Sequence, residues 1–361
     1  MKIIRRKTKV IAIGNLRIGG NHPLAIQSMT KTKTADVAKT VAQIQALEKS
    51  GCEIIRVAVK DNADAAALRT IKSRIKIPLV ADIHFDWRLA LLAISHGADK
   101  IRINPGNIGK REHIGEIIAV ARERKIPIRI GVNSGSVNRR RGLRQRSLSS
   151  AMAESALQYV SIFEKMRFRD IVLSLKASGV AETIEAYRKI SRLCEYPLHL
   201  GVTATGAPES GIVKSSIALG VLLSEGIGDT LRISLTDDPA HEVKVAQDIL
   251  EALGLRRFRP EIISCPTCGR CEVDLVKAVR DLEKGLSAQE YTPGAPSKIA
   301  VMGCMVNGPG EACEADIGIA FGKKEGMFFV KGTAVKKIAF ADCVKALLKR
   351  SGGSDGRHTK G

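Results

Sequence analysis

A pattern repeated eight times between residues 24 and 235 limits the possible folds more than any other feature of the chain. Each repeat is a short apolar run rich in β-branched residues, then a polar turn, then a stretch with apolar residues three and four apart. The runs are 24–29 (LAIQSM), 53–59 (EIIRVAV), 78–84 (PLVADIH), 100–104 (KIRIN), 127–133 (PIRIGVN), 170–176 (DIVLSLK), 197–203 (PLHLGVT) and 230–235 (TLRISL). Between them, 35–50 carries Val37, Val41, Ile44 and Leu47 on one helical face, and 87–96 and 214–225 (Ile217, Leu219, Leu222) follow the same rule. Eight strand-then-helix units in about 250 residues predict an α/β fold of the closed (β/α)8 TIM-barrel type rather than an open doubly wound sheet. Residues 9–18, with Gly14 inside and Gly19-Gly20 following, predict a hairpin that caps the lower end of the barrel.

With 361 residues, 44% of them hydrophobic, the chain exceeds one average domain. Composition changes at LRRFRP, 255–260, which sets the expected units: a substrate-binding barrel over 1–258 and a small α+β unit over 259–350. The tail 351–361 (SGGSDGRHTKG) has the composition of a disordered segment. The smaller unit reads as a strand at 261–264, a cysteine turn, a helix at 272–286, a Pro/Gly loop at 291–296 and a strand at 298–302. A glycine turn at 303–310, strand-like runs at 315–321 and 327–330 and a helix at 342–350 complete it.

In a TIM barrel the catalytic groups stand at the C-terminal ends of the strands. Here those ends offer Gln27, Ser28, Arg56, Asp82, His84, Arg102, Asn104, Arg129, Asn133, Lys176, Ser178, Thr203, Arg232 and Ser234. Arg56, Arg102, Arg129 and Arg232 occupy equivalent places on their strands, and a guanidinium inside a barrel must be paired or meet a ligand anion. Asp82 is the one obvious internal counter-charge, so the set points to a phosphate or diphosphate clamp. His84 fits a supporting role, and His199, mid-strand among leucines, reads as core.

The formal net charge of +21 calls for an anionic partner. Aromatic residues are 4% of the chain, with a single Trp, which leaves few platforms for stacking bases and favours a phosphorylated small molecule over nucleic acid. No apolar stretch reaches membrane-spanning length, and the start lacks a secretory core. Eight cysteines without an export signal suggest reduced thiols in a cytoplasmic protein. The run NRRRGLRQRS, 138–147, reads as a solvated loop or a phosphate-binding lid.

Five of the eight cysteines lie in two stretches, SCPTCGRC (264–271) and GCMVNGPGEAC (303–313). Cys265 and Cys268 flank a Pro-Thr turn, and Cys304 precedes the turn that begins at Asn307. Zinc prefers two Cys-x-x-Cys pairs, whereas Cys304 and Cys313 stand nine apart, so convergent thiolates of an iron–sulfur cluster fit better. The spacing leaves the fourth ligand open. Cys271 would saturate the site, and Glu311 would give it a hard, exchangeable oxygen ligand. Cys52, Cys194, Cys313 and Cys343 read as packing thiols.

The motifs CPTCGR, GCMVNGPGEA, ADIHFD, IRINPGNIG, IPIRIGVN and SEGIGDTLRISL together closely resemble the 4-hydroxy-3-methylbut-2-enyl diphosphate synthase family, in its two-domain bacterial form without the insertion of plant relatives. The match covers nearly the whole chain apart from the basic loop and the tail. It implies a [4Fe–4S] oxidoreductase of the non-mevalonate isoprenoid pathway. The reaction is two-electron ring opening and dehydroxylation of 2-C-methyl-D-erythritol 2,4-cyclodiphosphate, with flavodoxin or ferredoxin as electron donor. The resemblance makes Cys265, Cys268, Cys304 and Glu311 the cluster ligands. It assigns diphosphate binding to Arg56, Arg102, Arg129 and Lys214 with Asn133, and puts Asp82, His84, Asn307 and Glu311 among the catalytic groups. It further implies a homodimer in which the cluster domain of one chain closes over the barrel of the other.

Two departures stand out. Residues 203–206 read TATG where the family commonly reads TEAG, so Ala204 replaces an acid, and Glu209 stands where a family arginine aligns. Asp82 or Glu225 then becomes the substitute acid to consider. Cys271 is the second departure. Two other classes of function fit parts of the chain: an RNA-binding or RNA-modifying iron–sulfur protein, from the charge and the basic loop, and a zinc-stabilised sugar-phosphate barrel, which would be colourless.

Overall fold

The computed structural model describes residues 3–136, 147–289 and 295–352. The chain opens with a hairpin of β1 (Ile11–Ile13) and β2 (Leu16–Ile18). All eight apolar runs then form parallel strands: β3 (Ala25–Met29), β4 (Ile54–Val59), β5 (Leu79–Ile83), β6 (Lys100–Ile103), β7 (Ile128–Asn133), β8 (Ile171–Lys176), β9 (His199–Leu200) and β10 (Thr230–Leu231). Around them run α1 (Val37–Lys49), α2 (Asn62–Lys72), α3 (Trp87–Ser95), α4 (Pro105–Ile108), α5 (Arg111–Glu123), α6 (Leu148–Lys165), α7 (Val180–Leu193), α8 (Pro208–Ser224) and α9 (Pro239–Ala252). Asp36, Asp61, Asp86 and Asp238 each cap a helix by accepting from a backbone N–H of the first turn.

The strand order β8-β7-β6-β5-β4-β3-β10-β9 leaves one seam, between β8 and β9, closed by an isolated bridge from Leu173 to Leu198. Tyr187 of α7 reinforces that seam. Its hydroxyl accepts from the Leu175 N–H at 3.1 Å and donates to the His199 carbonyl, tying one strand to the other. Strands β9 and β10 are shorter than the sequence predicts, because from Gly201 and Arg232 onward the chain leaves the ladder for the mouth of the barrel.

Side chains alternate across each strand, which divides the interior into layers. Ala25, Ile54, Val80 and Val172 form an apolar floor against Ile11, Ile13 and Ile18 of the hairpin, the cap expected at the lower end. Above it the inward residues turn polar. On β6, Ile101 and Ile103 face the helices while Lys100 and Arg102 point inward, and both are buried.

The first compact unit ends at Arg256 and the second begins at Arg257. The second holds β11 (Glu261–Ser264), α10 (Leu275–Ser287), β12 (Lys298–Met302), α11 (Gly308–Cys313), β13 (Ile317–Phe321), β14 (Glu325–Val330), β15 (Thr333–Ala339) and α12 (Phe340–Ser351). The sheet order is β11-β12-β13-β14-β15, parallel across the first three strands and antiparallel thereafter. Leu275, Leu282 and Leu286 of α10 and Leu347 of α12 pack on Ile299, Val301, Ile319 and Phe321.

Two sequence expectations need correction. The last three residues of the 303–310 turn are already helical, since Pro309 suits the first turn of α11. Strand β15 was not expected, because as an edge strand exposed at every residue except Ile338 it lacks a clean hydrophobic alternation. The basic run 138–147 lies, except for Ser147, outside the described residues, as do 353–361 of the tail and most of the 291–296 loop. Among the described residues no helix is long and apolar enough to cross a membrane.

Candidate functional site

Backbone register brings the charged residues of the barrel together. Asp82 pairs with Arg102, and Arg102 with Arg129, on three successive strands. The Asp82 carboxylate receives Arg102 Nη1 at 3.1 Å on Oδ1 and stands 3.7 Å from Arg56 Nε through Oδ2. His84 Nε2 lies 3.6 Å from the same carboxylate and 3.4 Å from Arg102 Nη1. Burial alone would raise the Asp82 pKa, but Arg56, the hydrogen bond of His84, Arg102 and Arg129 outweigh it and hold the group well below the ordinary carboxylate range. Asp82 is thus held in its charged form as the counter-charge of these guanidinium groups.

Glu225, the other substitute acid, is placed wrongly for that role. It sits at the C-terminal end of α8, at the floor end of the barrel, in a surface pair with Arg188. Ala204 is exposed with φ 52°, so the loop that carries an acid in the related motif presents only a methyl group here.

One carboxylate cannot balance the cations around it. Arg129 is 1% exposed, and its Nε and Nη1 have no hydrogen-bond partner among the described residues; the same holds for Lys100 Nζ and Arg102 Nε. Burial pushes the pKa values of Arg129, Lys100 and Lys176 well down, and their mutual repulsion adds to this. For Arg56 the result is about 9, despite the attraction of Asp82. A guanidinium does not surrender its proton inside a protein. The strain is thus electrostatic, and an incoming anion relieves it.

Two glycines make room for the cations. A Cβ on Gly131 would lie 2.6 Å from Arg102 Nε, and one on Gly201 would lie 2.7 Å from Lys176 Nζ. Lys214, in the first turns of α8, reaches the same end of the barrel and donates to the Thr205 carbonyl at 3.1 Å. Asn133 ends β7 beside Lys176. His199 is fully buried, with Nδ1 2.9 Å from Thr230 Oγ1, and is part of the packed interior as expected.

Sequence reasoning missed Glu242. This buried residue of α9 lies 3.7 Å from Arg232 Nε and 3.7 Å from Lys31 Nζ, and accepts from the Leu235 N–H at 3.0 Å. It supplies Arg232 with a counter-charge, so Asp82 is not the only internal acid. The available signal was its place in the first turn of the helix after the eighth strand.

In the second unit, the register of Ser264 with Val301 puts Cys265 and Cys304 just past the ends of neighbouring parallel strands. The Gly303 N–H points to Cys265 Sγ at 3.4 Å, the kind of backbone contact that stabilises a ligating thiolate. Thr267, between Cys265 and Cys268, holds φ 65°, an unusual conformation for a β-branched residue that turns the loop sharply. The backbone N–H and charge of Arg270 bring the exposed Cys268 thiol below its usual range, favouring the ligating form. Cys271 Sγ faces the Val273 carbonyl at 3.3 Å and stands at the same end: a Cβ on Gly303 would lie 2.5 Å from it and 3.5 Å from Cys265 Sγ. Glu311 and Asn307 are exposed on α11 and just before it.

Among the described residues no three His, Cys, Asp or Glu side chains converge on a single-ion site. A cubane cluster takes its ligands at separate corners, so three thiolates at one sheet end suit it better than they suit zinc. Cys52 and Cys343 are buried thiols pushed up to about 12 and about 11 by burial, which marks them as packing residues.

Barrel and cysteine unit together define a two-unit (β/α)8-barrel enzyme with an anion-seeking interior and a candidate thiolate centre. The chain matches the GcpE TIM-barrel domain over residues 8–247 and the GcpE protein C-terminal domain over 261–351. It is 54% identical to the 4-hydroxy-3-methylbut-2-en-1-yl diphosphate synthase (flavodoxin) of Caldanaerobacter subterraneus subsp. tengcongensis, covering 96% of this chain and 97% of the relative. The enzyme of the same description from Fusobacterium nucleatum is 50% identical, with the same coverage of both chains. The chain belongs to the 4-hydroxy-3-methylbut-2-en-1-yl diphosphate synthase family and is an oxidoreductase of isoprenoid biosynthesis. Among solved structures, dihydropteroate synthases of Yersinia pestis (TM-score 0.52, 11% identity, 68% of this chain and 97% of that one) and Stenotrophomonas maltophilia (0.51, 13%, 67% and 98%) share the barrel fold alone. Neither the RNA-binding nor the zinc reading gains support.

Proposed function

We propose that the chain opens the ring of 2-C-methyl-D-erythritol 2,4-cyclodiphosphate reductively to give 4-hydroxy-3-methylbut-2-enyl diphosphate, with Arg56, Arg102, Arg129 and Lys214 holding the diphosphate. The observation that carries this is the cationic excess around Asp82, with buried Arg129 nitrogens that have no protein partner among the described residues. A diphosphate supplies the charge and the acceptor oxygens that those nitrogens lack. Asp82 fixes the Arg56 and Arg102 guanidinium groups so that they need not reorganise when substrate arrives. Asn133 orients the substrate beside Lys176. His84, half exposed and next to Asp82, is the side chain positioned to pass a proton inward.

Cys265, Cys268, Cys304 and Glu311 would hold a [4Fe–4S] cluster, which when bound supplies the electrons for the two-electron reduction. Asn307, ahead of α11, sets the turn that presents Glu311. The electron donor would be a flavodoxin-type protein, as the relatives' names state for those enzymes. A homodimer and a reducing cytoplasmic setting complete the reading.

Protein purified anaerobically and supplied with iron and sulfide should be brown and should form product under reduction. Arg129→Met should raise KM without changing the visible spectrum. A colourless, zinc-bearing protein without turnover would overturn the reading.

A further inference from the structure

The cysteine end of the second sheet carries a feature that the chemistry above does not use. Strands β11, β12 and β13 are parallel, so the segments after all three leave at one end, and β14 starts and β15 finishes there. Cys265 and Cys304 therefore share that end with the Gly322–Lys324 turn and with Lys337. A groove there is lined by Met305, Lys323, Lys324, Glu325, Lys337 and Ala339, among others.

Its first residue, Met305, directly follows Cys304. Met305 and Val306 are 48% and 65% exposed, an apolar pair on an otherwise charged rim. Residues 322–339 contain five lysines and one acid, Glu325, which pairs with Lys337 at 2.6 Å. The groove is thus cationic at its edge, apolar beside the cysteine, and next to the strand end where electrons would enter. Lys331, with the same charge, lies in the β14–β15 turn at the opposite end of the sheet.

We propose that this groove is the docking site of the electron-donating protein, a reduced flavoprotein of the flavodoxin type with an acidic rim around its exposed flavin. The proposal rests on the functional reading above. Lys323 and Lys324 attract and orient the acidic rim, and Met305 and Val306 meet the apolar edge of the isoalloxazine ring. The flavin is oxidised as it passes electrons singly towards the cysteine centre; the substrate accepts two electrons and two protons from solvent in all, and one of its oxygens leaves as water. The groove needs no covalent step.

The test uses the anaerobically reconstituted full chain driven either by reduced flavodoxin or by a small photoreduced deazaflavin. In Lys323→Glu/Lys324→Glu, kcat/KM for flavodoxin should fall by about tenfold or more and lose most of its salt dependence, because steering by charge acts on encounter. The deazaflavin-driven rate should stay unchanged, as should both rates in Lys331→Glu. An unchanged flavodoxin rate in the double variant overturns the proposal, as does an equal loss with both reductants or an equal loss in Lys331→Glu. Wild-type protein that forms no product with either reductant rejects the functional reading instead, and the docking site falls with it.

Discussion

Gly131 lies so close to Arg102 that a Cβ on the glycine would come within 2.6 Å of the arginine Nε. The arginine cannot swing aside freely, because Nη1 is held by Asp82 at 3.1 Å. Gly131→Ala should therefore break that bond and cost about 1–3 kcal/mol of stability through overpacking. The substrate KM should rise with it. Thermal unfolding and steady-state kinetics on the same preparation check both effects.

Asp82→Asn leaves Arg56 and Arg102 buried without their counter-charge, and removing one partner of a buried pair costs about 3–5 kcal/mol. The Asp82 pKa is lower folded than unfolded, so its stabilisation is complete above the ordinary aspartate value near ~4 and fades as pH falls through the folded value. Denaturant unfolding as a function of pH should show the wild-type advantage constant at neutral pH and shrinking in acid. An advantage that persists unchanged to pH ~2 would refute this account.

Lys100 gives a slope of the same sign in a different pH range. Burial and repulsion by Arg129 and Arg56 depress its pKa, so between the folded value and the free-lysine value near ~10.4 the unfolded chain binds the extra proton and stability rises with pH. Lys100→Met should flatten that rise and should be more stable than wild type at neutral pH. Urea midpoints measured across the alkaline range decide it.

The thiols separate by environment. Cys265→Ser should lose iron, sulfide and visible absorbance together. Cys271→Ser should keep all three and lose only a modest amount of stability, since the proposed ligand set does not use that sulfur, which faces the Val273 carbonyl. Glu311→Ala should retain iron but change the spectrum and lower turnover. Metal analysis and spectra of the three variants are sufficient, and loss of the cluster in Cys271→Ser would contradict the ligand set.

Most of the barrel was legible because each strand is a dense β-branched run and each following helix keeps a clean period, so β3 to β8 fall within one residue of expectation at either end. Charge at the strand ends located Arg56, Asp82, Arg102 and Arg129 for the same reason: alternation fixes which side chains face inward. What failed was information carried by tertiary pairing. Glu242 sits in a helix whose first turn reads as solvent-facing, and only the fold brings it to Arg232. Strand β15, exposed except at Ile338, has no clean hydrophobic alternation of its own and is placed by its pairing with β14. Spacing leaves the fourth ligand open between Cys271 and Glu311, and in the fold Cys271 Sγ stands against Gly303 as Cys265 Sγ does.

The hairpin of Ile11–Ile13 and Leu16–Ile18, pressed against Ile54, Val80 and Val172, closes the lower end, so that among the described residues the barrel is a vessel with its door at the other end. On the function proposed above, substrate and product both carry a diphosphate, and each would use that door and would have to let go of the same guanidinium groups. Departure then belongs to the catalytic cycle as much as bond breaking does, and the product should compete with the substrate for one berth.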